Sequence, residues 1–101
     1  MPAQATFSES AVRDLQDVVD WYKAQSPPDA GERLIREIFA SVDQLATFPA
    51  SGRVVPEFDQ PSLREIIRPP FRIVYRVDGE RVRVVRVWRS ERLMGSNPRT
   101  Q

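Results

Sequence analysis

LREIIRPPFRIVYRVDGERVRVVRVWRSER, residues Leu63–Arg92, decides how this chain folds. Val77-Asp78-Gly79-Glu80 interrupts two runs of roughly eight residues in which arginines recur among β-branched and aromatic side chains, and Asp-Gly between alternating hydrophobics predicts a hairpin. With Asp78 and Gly79 as the loop, Val77 faces Glu80, Tyr75 faces Val82, Ile73 faces Val84 and Phe71 faces Arg86. Side chains alternate along a strand, so the hairpin has two unlike faces. One carries Phe71, Ile73, Tyr75, Val77, Val82, Val84 and Trp88, with Glu80 and Arg86 as its charges. The other carries Arg72, Arg76, Arg81, Arg83 and Arg89 around Val74, Val85 and Val87. The first face is a core; the second is a guanidinium-lined surface from which function has to be argued.

Working outward, Leu63–Arg68 reads as a further strand that Pro69-Pro70 turns into Phe71–Val77, and whether Arg64 and Arg68 join the arginine face depends on that turn. Upstream, PASGRVVPEFDQPS at Pro49–Ser62 holds three prolines and one glycine and reads as a loop, with Gly52 as a turn residue. Ala30, Leu34, Ile35, Ile38, Val42, Leu45 and Ala46 follow helical spacing, ending near Phe48. Ala11, Val12, Leu15, Val18, Val19 and Tyr22 do the same, predicting a helix from about Glu9 to Gln25 with Asp14, Asp17, Asp20 and Lys23 on its wet side. Ser8 or Ser10 supplies the N-cap, and Glu9 suits the first turn. Ser26-Pro27-Pro28-Asp29 joins the helices tightly enough for an antiparallel pair. Ala3–Phe7 reads as an edge strand. The order β-α-α-β-β-β describes an α+β fold, a helical hairpin packed on one face of a mostly antiparallel sheet. It is expected as a single domain over residues 1–94, with a frayed tail at 95–101.

The chain has 101 residues, 41% hydrophobic and 29% charged, which suits one modest core. No apolar run approaches the roughly 18 residues that span a bilayer, and no signal-peptide pattern opens the chain, so the cytoplasm is the expected address. There is no cysteine and no histidine. Disulfides, thiolate zinc sites, cysteine nucleophiles and serine–histidine catalysis are thereby excluded, and neither metal nor cofactor is expected. Charge is segregated. Residues 1–48 carry eight acids and four bases, whereas residues 49–101 carry eleven arginines and six acids. Arginine's planar fork suits phosphate and carboxylate, so the second half is built to meet anions, whether nucleic acid or an acidic protein segment.

Five arginines on one sheet face repel one another unless an anion is near, and a surface that only keeps a protein soluble usually mixes signs. The expected binding surface comprises Arg64, Arg68, Arg72, Arg76, Arg81, Arg83, Arg89 and Arg92. Trp21 lies about one residue off the stripe of the first helix, as a rim residue or as a partner contact. Trp88 and Tyr75 read as core. Glu57, Glu65 and Glu91 are candidates either for a general base or, more simply, for salt bridges to arginine.

Phe48-Pro49-Ala50-Ser51-Gly52-Arg53, Leu63-Arg64-Glu65-Ile66, Pro70-Phe71-Arg72-Ile73-Val74-Tyr75-Arg76-Val77 and Val85-Arg86-Val87-Trp88-Arg89-Ser90-Glu91-Arg92 resemble the RelE/ParE superfamily of toxins from type II toxin–antitoxin systems. The resemblance runs from about Ala3 to Arg92. It implies a small cytoplasmic toxin wrapped and neutralised by a cognate antitoxin in a hetero-oligomer. One branch cuts mRNA on the ribosome; by likeness to it, Arg72 and Arg89 are the candidate catalytic arginines that stabilise the transition state. That branch's proton-transfer residues are missing here, for residues 49–101 hold no lysine, and no tyrosine follows Tyr75. The other branch poisons DNA gyrase by binding, and the Pro49–Arg53 turn and long helical hairpin look more like it. Gyrase inhibition is therefore the favoured expectation, with a ribosome-dependent endonuclease as the alternative and a partner-binding module without toxicity as a third.

Overall fold

The structure is a computed structural model that describes residues 4–25 and 29–89. Its elements are β1 (Gln4–Phe7), α1 (Glu9–Gln25), α2 (Asp29–Thr47), a 3-10 turn (Pro49–Ser51), β2 (Arg53–Val54), β3 (Leu63–Arg68), β4 (Phe71–Asp78) and β5 (Arg81–Arg89). The strands form one sheet in the order β1-β5-β4-β3-β2. β1 runs parallel to β5, and the other neighbours are antiparallel. This is the expected α+β architecture, with one addition: the Pro49–Ser62 loop contributes the short edge strand β2. Arg92, the 95–101 tail and the Ser26-Pro27-Pro28 connection lie outside the described residues.

Helical spacing works as physics requires. Ala11, Leu15 and Val18 of α1 and Ile38, Val42 and Leu45 of α2 bury one stripe each against Phe71, Ile73, Tyr75, Val82, Val84 and Val87 of the sheet. Ser8 is the N-cap of α1: its Oγ accepts the Ala11 N–H at 3.0 Å and donates to the Val85 carbonyl at 2.9 Å. One hydroxyl thus satisfies a helix start and a strand.

The hairpin departs from the predicted register in two ways. Asp78 pairs with Arg81, so the loop residues are Gly79 and Glu80, and Gly79 takes the positive φ of 62° that glycine accepts without strain. Tyr75 consequently pairs with Val84 and Val77 with Val82. This shift changes partners but not faces. The second departure changes faces. Val74 pairs with Arg86 while Tyr75 pairs with Val84, leaving Val85 as the extra residue of a β-bulge. Beyond it the alternation of β5 inverts. Val87 and Arg89 turn toward the helices, opposite Ile73 and Phe71, and Trp88 turns to the far face opposite Arg72. The expectation of Trp88 under the helices and of Val87 and Arg89 on the arginine face is corrected.

The far face has a small core of its own. Val55, Leu63 and Val74 are buried together, with Val85 and Trp88 packed against them. Gly52 anchors the covering loop. Its N–H donates to the Tyr75 hydroxyl at 2.9 Å, which itself donates to the Pro49 carbonyl at 2.8 Å. Gly52 serves here through its lack of a side chain, since a Cβ would come within 2.5 Å of both the Glu65 carbonyl oxygen and the Tyr75 hydroxyl.

Candidate functional site

β4 places Arg72 on the far face in the middle of the sheet, where its side chain is only 7% exposed. A buried guanidinium needs compensation, and two carboxylates supply it. Glu65 of β3, itself fully buried, accepts the Arg72 Nε–H at 2.8 Å and a second bond from Nη2. Glu57, carried over the sheet by the covering loop, accepts from Nη1 and Nη2 at 3.1 and 3.2 Å. Arg53 of β2 closes the cluster, its Nε and Nη2 each 2.6 Å from the other Glu65 oxygen. Burial disfavours the charged form of Arg72, but the bonds and charges of Glu57 and Glu65 outweigh it and hold the group above the ordinary arginine range. Arg72 is thus neutralised from within. Glu57 and Glu65 take the salt-bridge role, and Glu91 lies outside the described residues.

Arg89 is elsewhere. It pairs with Phe71 on the helix side, its guanidinium lies 4.9 Å from the Trp21 ring centroid, and Nη1 donates to the Tyr22 hydroxyl at 3.4 Å. Trp21 is 48% exposed and meets Tyr22 edge-on. Asp17, Val18, Trp21, Tyr22, Trp88 and Arg89 help line a cleft of about 150 Å³ beside β5. Arg72 and Arg89 lie on opposite faces of the sheet, so the structure does not bring the two together.

Three more arginines are committed to the fold. Arg64 aligns with Tyr75 and donates to the Gly52 carbonyl at 2.9 Å; Arg68 aligns with Phe71 and donates to Ser41 Oγ of α2 at 2.8 Å. Neither joins the far face, which resolves the dependence on the Pro69-Pro70 turn. Arg86 donates from Nε and Nη2 to Asp14 at 2.8 and 2.9 Å, with its guanidinium 4.6 Å from the Trp88 ring centroid. The bond to Asp14 holds Arg86 above the ordinary arginine range, against a smaller opposing effect of burial. Arg76, Arg81 and Arg83 remain exposed on the far face, with Arg83 reaching Thr6 Oγ1 at 3.4 Å.

Two positions escaped the sequence reading. Asp14, expected on the wet side of α1, is buried, and it also accepts the backbone N–H of Val87 at 2.9 Å. β1 pairs only as far as Val84, so Asp14 satisfies the strand edge that β1 leaves open. Its place three residues after Ala11 and four before Val18 was the available signal. Glu65 was assigned a possible pairing but not its central position, which only the β2–β3–β4 register creates.

A family model described as the ParE toxin of the type II toxin–antitoxin system parDE matches residues 5–94. The chain belongs to the ParE toxin family. Among solved structures, the chromosomal ParDE toxin–antitoxin system from P. aeruginosa superposes with a TM-score of 0.71 at 24% identity, covering 86% of this chain and 95% of that one. The RelBE2 toxin–antitoxin complex from Mycobacterium tuberculosis gives 0.60 at 21% identity, covering 89% and 94%. No curated protein matches the chain significantly in sequence. The ParE fold explains the helical hairpin over a mostly antiparallel sheet, and no helix among the described residues is long and apolar enough to cross a membrane.

Proposed function

We propose that this ParE-family toxin acts in the cytoplasm by binding DNA gyrase, and that a cognate antitoxin neutralises it in a hetero-oligomer. The observation that carries the binding reading is the separation of Arg72 from Arg89. An endonuclease of the ribosome-dependent kind would need both guanidiniums on one phosphate. Here one is buried between Glu57 and Glu65 and the other is stacked on Trp21 across the sheet. The absence of histidine, and of lysine beyond residue 48, adds support, because arginine's pKa is too high for comfortable proton transfer. The partnership and the target are carried over from the family resemblance and from what the structural neighbours are named for.

Purified protein is assayed in parallel for gyrase cleavage complexes on supercoiled plasmid and for cuts in ribosome-bound mRNA. The expected result is linearised plasmid with gyrase and intact mRNA. Cleaved mRNA with unaffected gyrase would overturn the proposal in favour of the endonuclease. The partnership is tested by co-expression with the protein encoded next to it: relief of growth arrest and co-purification are expected, and arrest that persists beside a soluble neighbour counts against it.

A further inference from the structure

The arginines divide sharply once their contacts are assigned. Within residues 49–89, Arg53, Arg64, Arg68, Arg72, Arg86 and Arg89 each serve an internal partner. Arg76 and Arg81 make no side-chain hydrogen bond or ion pair among the described residues, and Arg83 makes only the long bond to Thr6. These three are neighbours. Arg76 and Arg83 stand directly opposite each other across β4 and β5, and Arg81 lies two residues along on the same face. Like charges in directly opposed positions weaken a sheet. Arg81 faces Asp78 in register, yet the two form no salt bridge.

Thr6, Arg76, Asp78, Arg81 and Arg83 line a single hollow of about 290 Å³ between β1 and the hairpin end. That is near the small end of ligand pockets, which begin at about 300 Å³. Three arginines and a threonine around one small hollow suit an anion with several oxygens around one centre. A carboxylate offers two oxygens, a phosphate more. Asp78 opposes any anion there, but three arginines against one carboxylate leave the lining net positive, and arginine's fork matches the several oxygens of a phosphate.

We infer that Arg76, Arg81 and Arg83, with Thr6, form a phosphate-binding hollow that engages the backbone of a nucleic-acid strand. Contact is to phosphate, which fixes the position of a strand and carries no base information of its own. The inference does not depend on the target proposed above; a failed gyrase assay leaves it standing.

The test is fluorescence anisotropy on the full chain with a labelled 20-mer oligonucleotide, titrated over a range of salt. R76Q/R81Q/R83Q is compared with R13Q/R33Q/R36Q, which removes equal charge from the helices. The far-face variant is expected to bind at least tenfold more weakly at low salt, with its salt slope reduced by about 2–3 for three lost phosphate contacts. The helix variant is expected within threefold of the parent. Thermal unfolding shows whether the far-face variant is folded, and relief of like-charge repulsion should leave its Tm unchanged or higher. Binding by the far-face variant within threefold of the parent overturns the inference. So does poly-glutamate binding as tightly as the oligonucleotide, which would assign the hollow to an acidic peptide. Displacement of the oligonucleotide by micromolar ATP would overturn the strand assignment in favour of a free nucleotide.

Discussion

Replacing Glu65 and Arg72 singly and together by methionine separates a structural role for this pair from a chemical one. Glu65→Met leaves Arg72 buried with Glu57 alone, and Arg72→Met leaves a buried Glu65 carboxylate with Arg53 alone. Removing one partner of a buried pair costs about 3–5 kcal/mol. The remaining partners lower that toward the smaller figure, because Glu57 and Arg53 still neutralise part of the stranded charge. Each single variant should therefore lose about 3 kcal/mol, a large share of the 5–15 kcal/mol typical of a domain. The double variant strands nothing fully buried. The side chains of Arg53 and Glu57 are 64% and 30% exposed and can hydrate. Apolar replacement of a whole buried pair is often neutral or better, so the double variant should fall within about 1–2 kcal/mol of the parent. Urea unfolding followed by tryptophan fluorescence, to which Trp88 contributes as the cross-strand partner of Arg72, gives all four corners of the cycle. Single losses below about 1 kcal/mol, or a double loss equal to their sum, would falsify the reasoning. Growth inhibition then adds the functional reading: a folded double variant that stays toxic excludes Arg72 from any chemistry.

Burial holds the Tyr75 hydroxyl above its ordinary value of 10.0, against the opposing pull of the Gly52 N–H and the Arg64 charge. Between pH 10 and the folded value the unfolded chain releases a proton that the native state keeps, so Tyr75 contributes stability below pH 10 that is lost as pH rises through that window. Tyr75→Phe should cost about 1–3 kcal/mol at neutral pH by stranding the Gly52 N–H, and should flatten the alkaline limb of a Tm–pH curve; a limb of unchanged steepness refutes the linkage. Asp14→Ala should cost about 1.5–3 kcal/mol through its charged hydrogen bonds and raise the hydrogen-exchange rate of the Val87 amide. Unaltered Val87 protection would show that the strand edge is satisfied in another way.

Much of this architecture could be read from residue spacing. The helical stripes located Glu9–Gln25 to the residue and Asp29–Thr47 to within about one, because a buried stripe, a serine cap and flanking prolines all point to the same limits. Strand faces were harder, since one inserted residue reverses everything after it. The signal was nevertheless present in Val82, Val84, then Val85, Val87: the adjacent valines mark where the apolar alternation skips a step. Strict period two carried Arg89 to the wrong side and made a five-arginine surface from what is a buried ion cluster, a stacked arginine and a patch of three. The covering role of Pro49–Ser62 could not be read from its composition. It depends on Gly52 fitting beneath Tyr75 and on Glu57 reaching Arg72, contacts set by shape across 23 and 15 residues of sequence.

The Ser8 hydroxyl bonded to the Val85 carbonyl has a consequence for synthesis, because the two residues are 77 positions apart. On a translating ribosome the start of α1 and the strand beside it wait, unfinished, until β5 has left the exit tunnel. Contacts so distant in sequence form slowly, because the loop must close before they can stabilise it. Among the described residues the last strand is thus the keystone of the first, and a chain truncated before β5 cannot close this sheet.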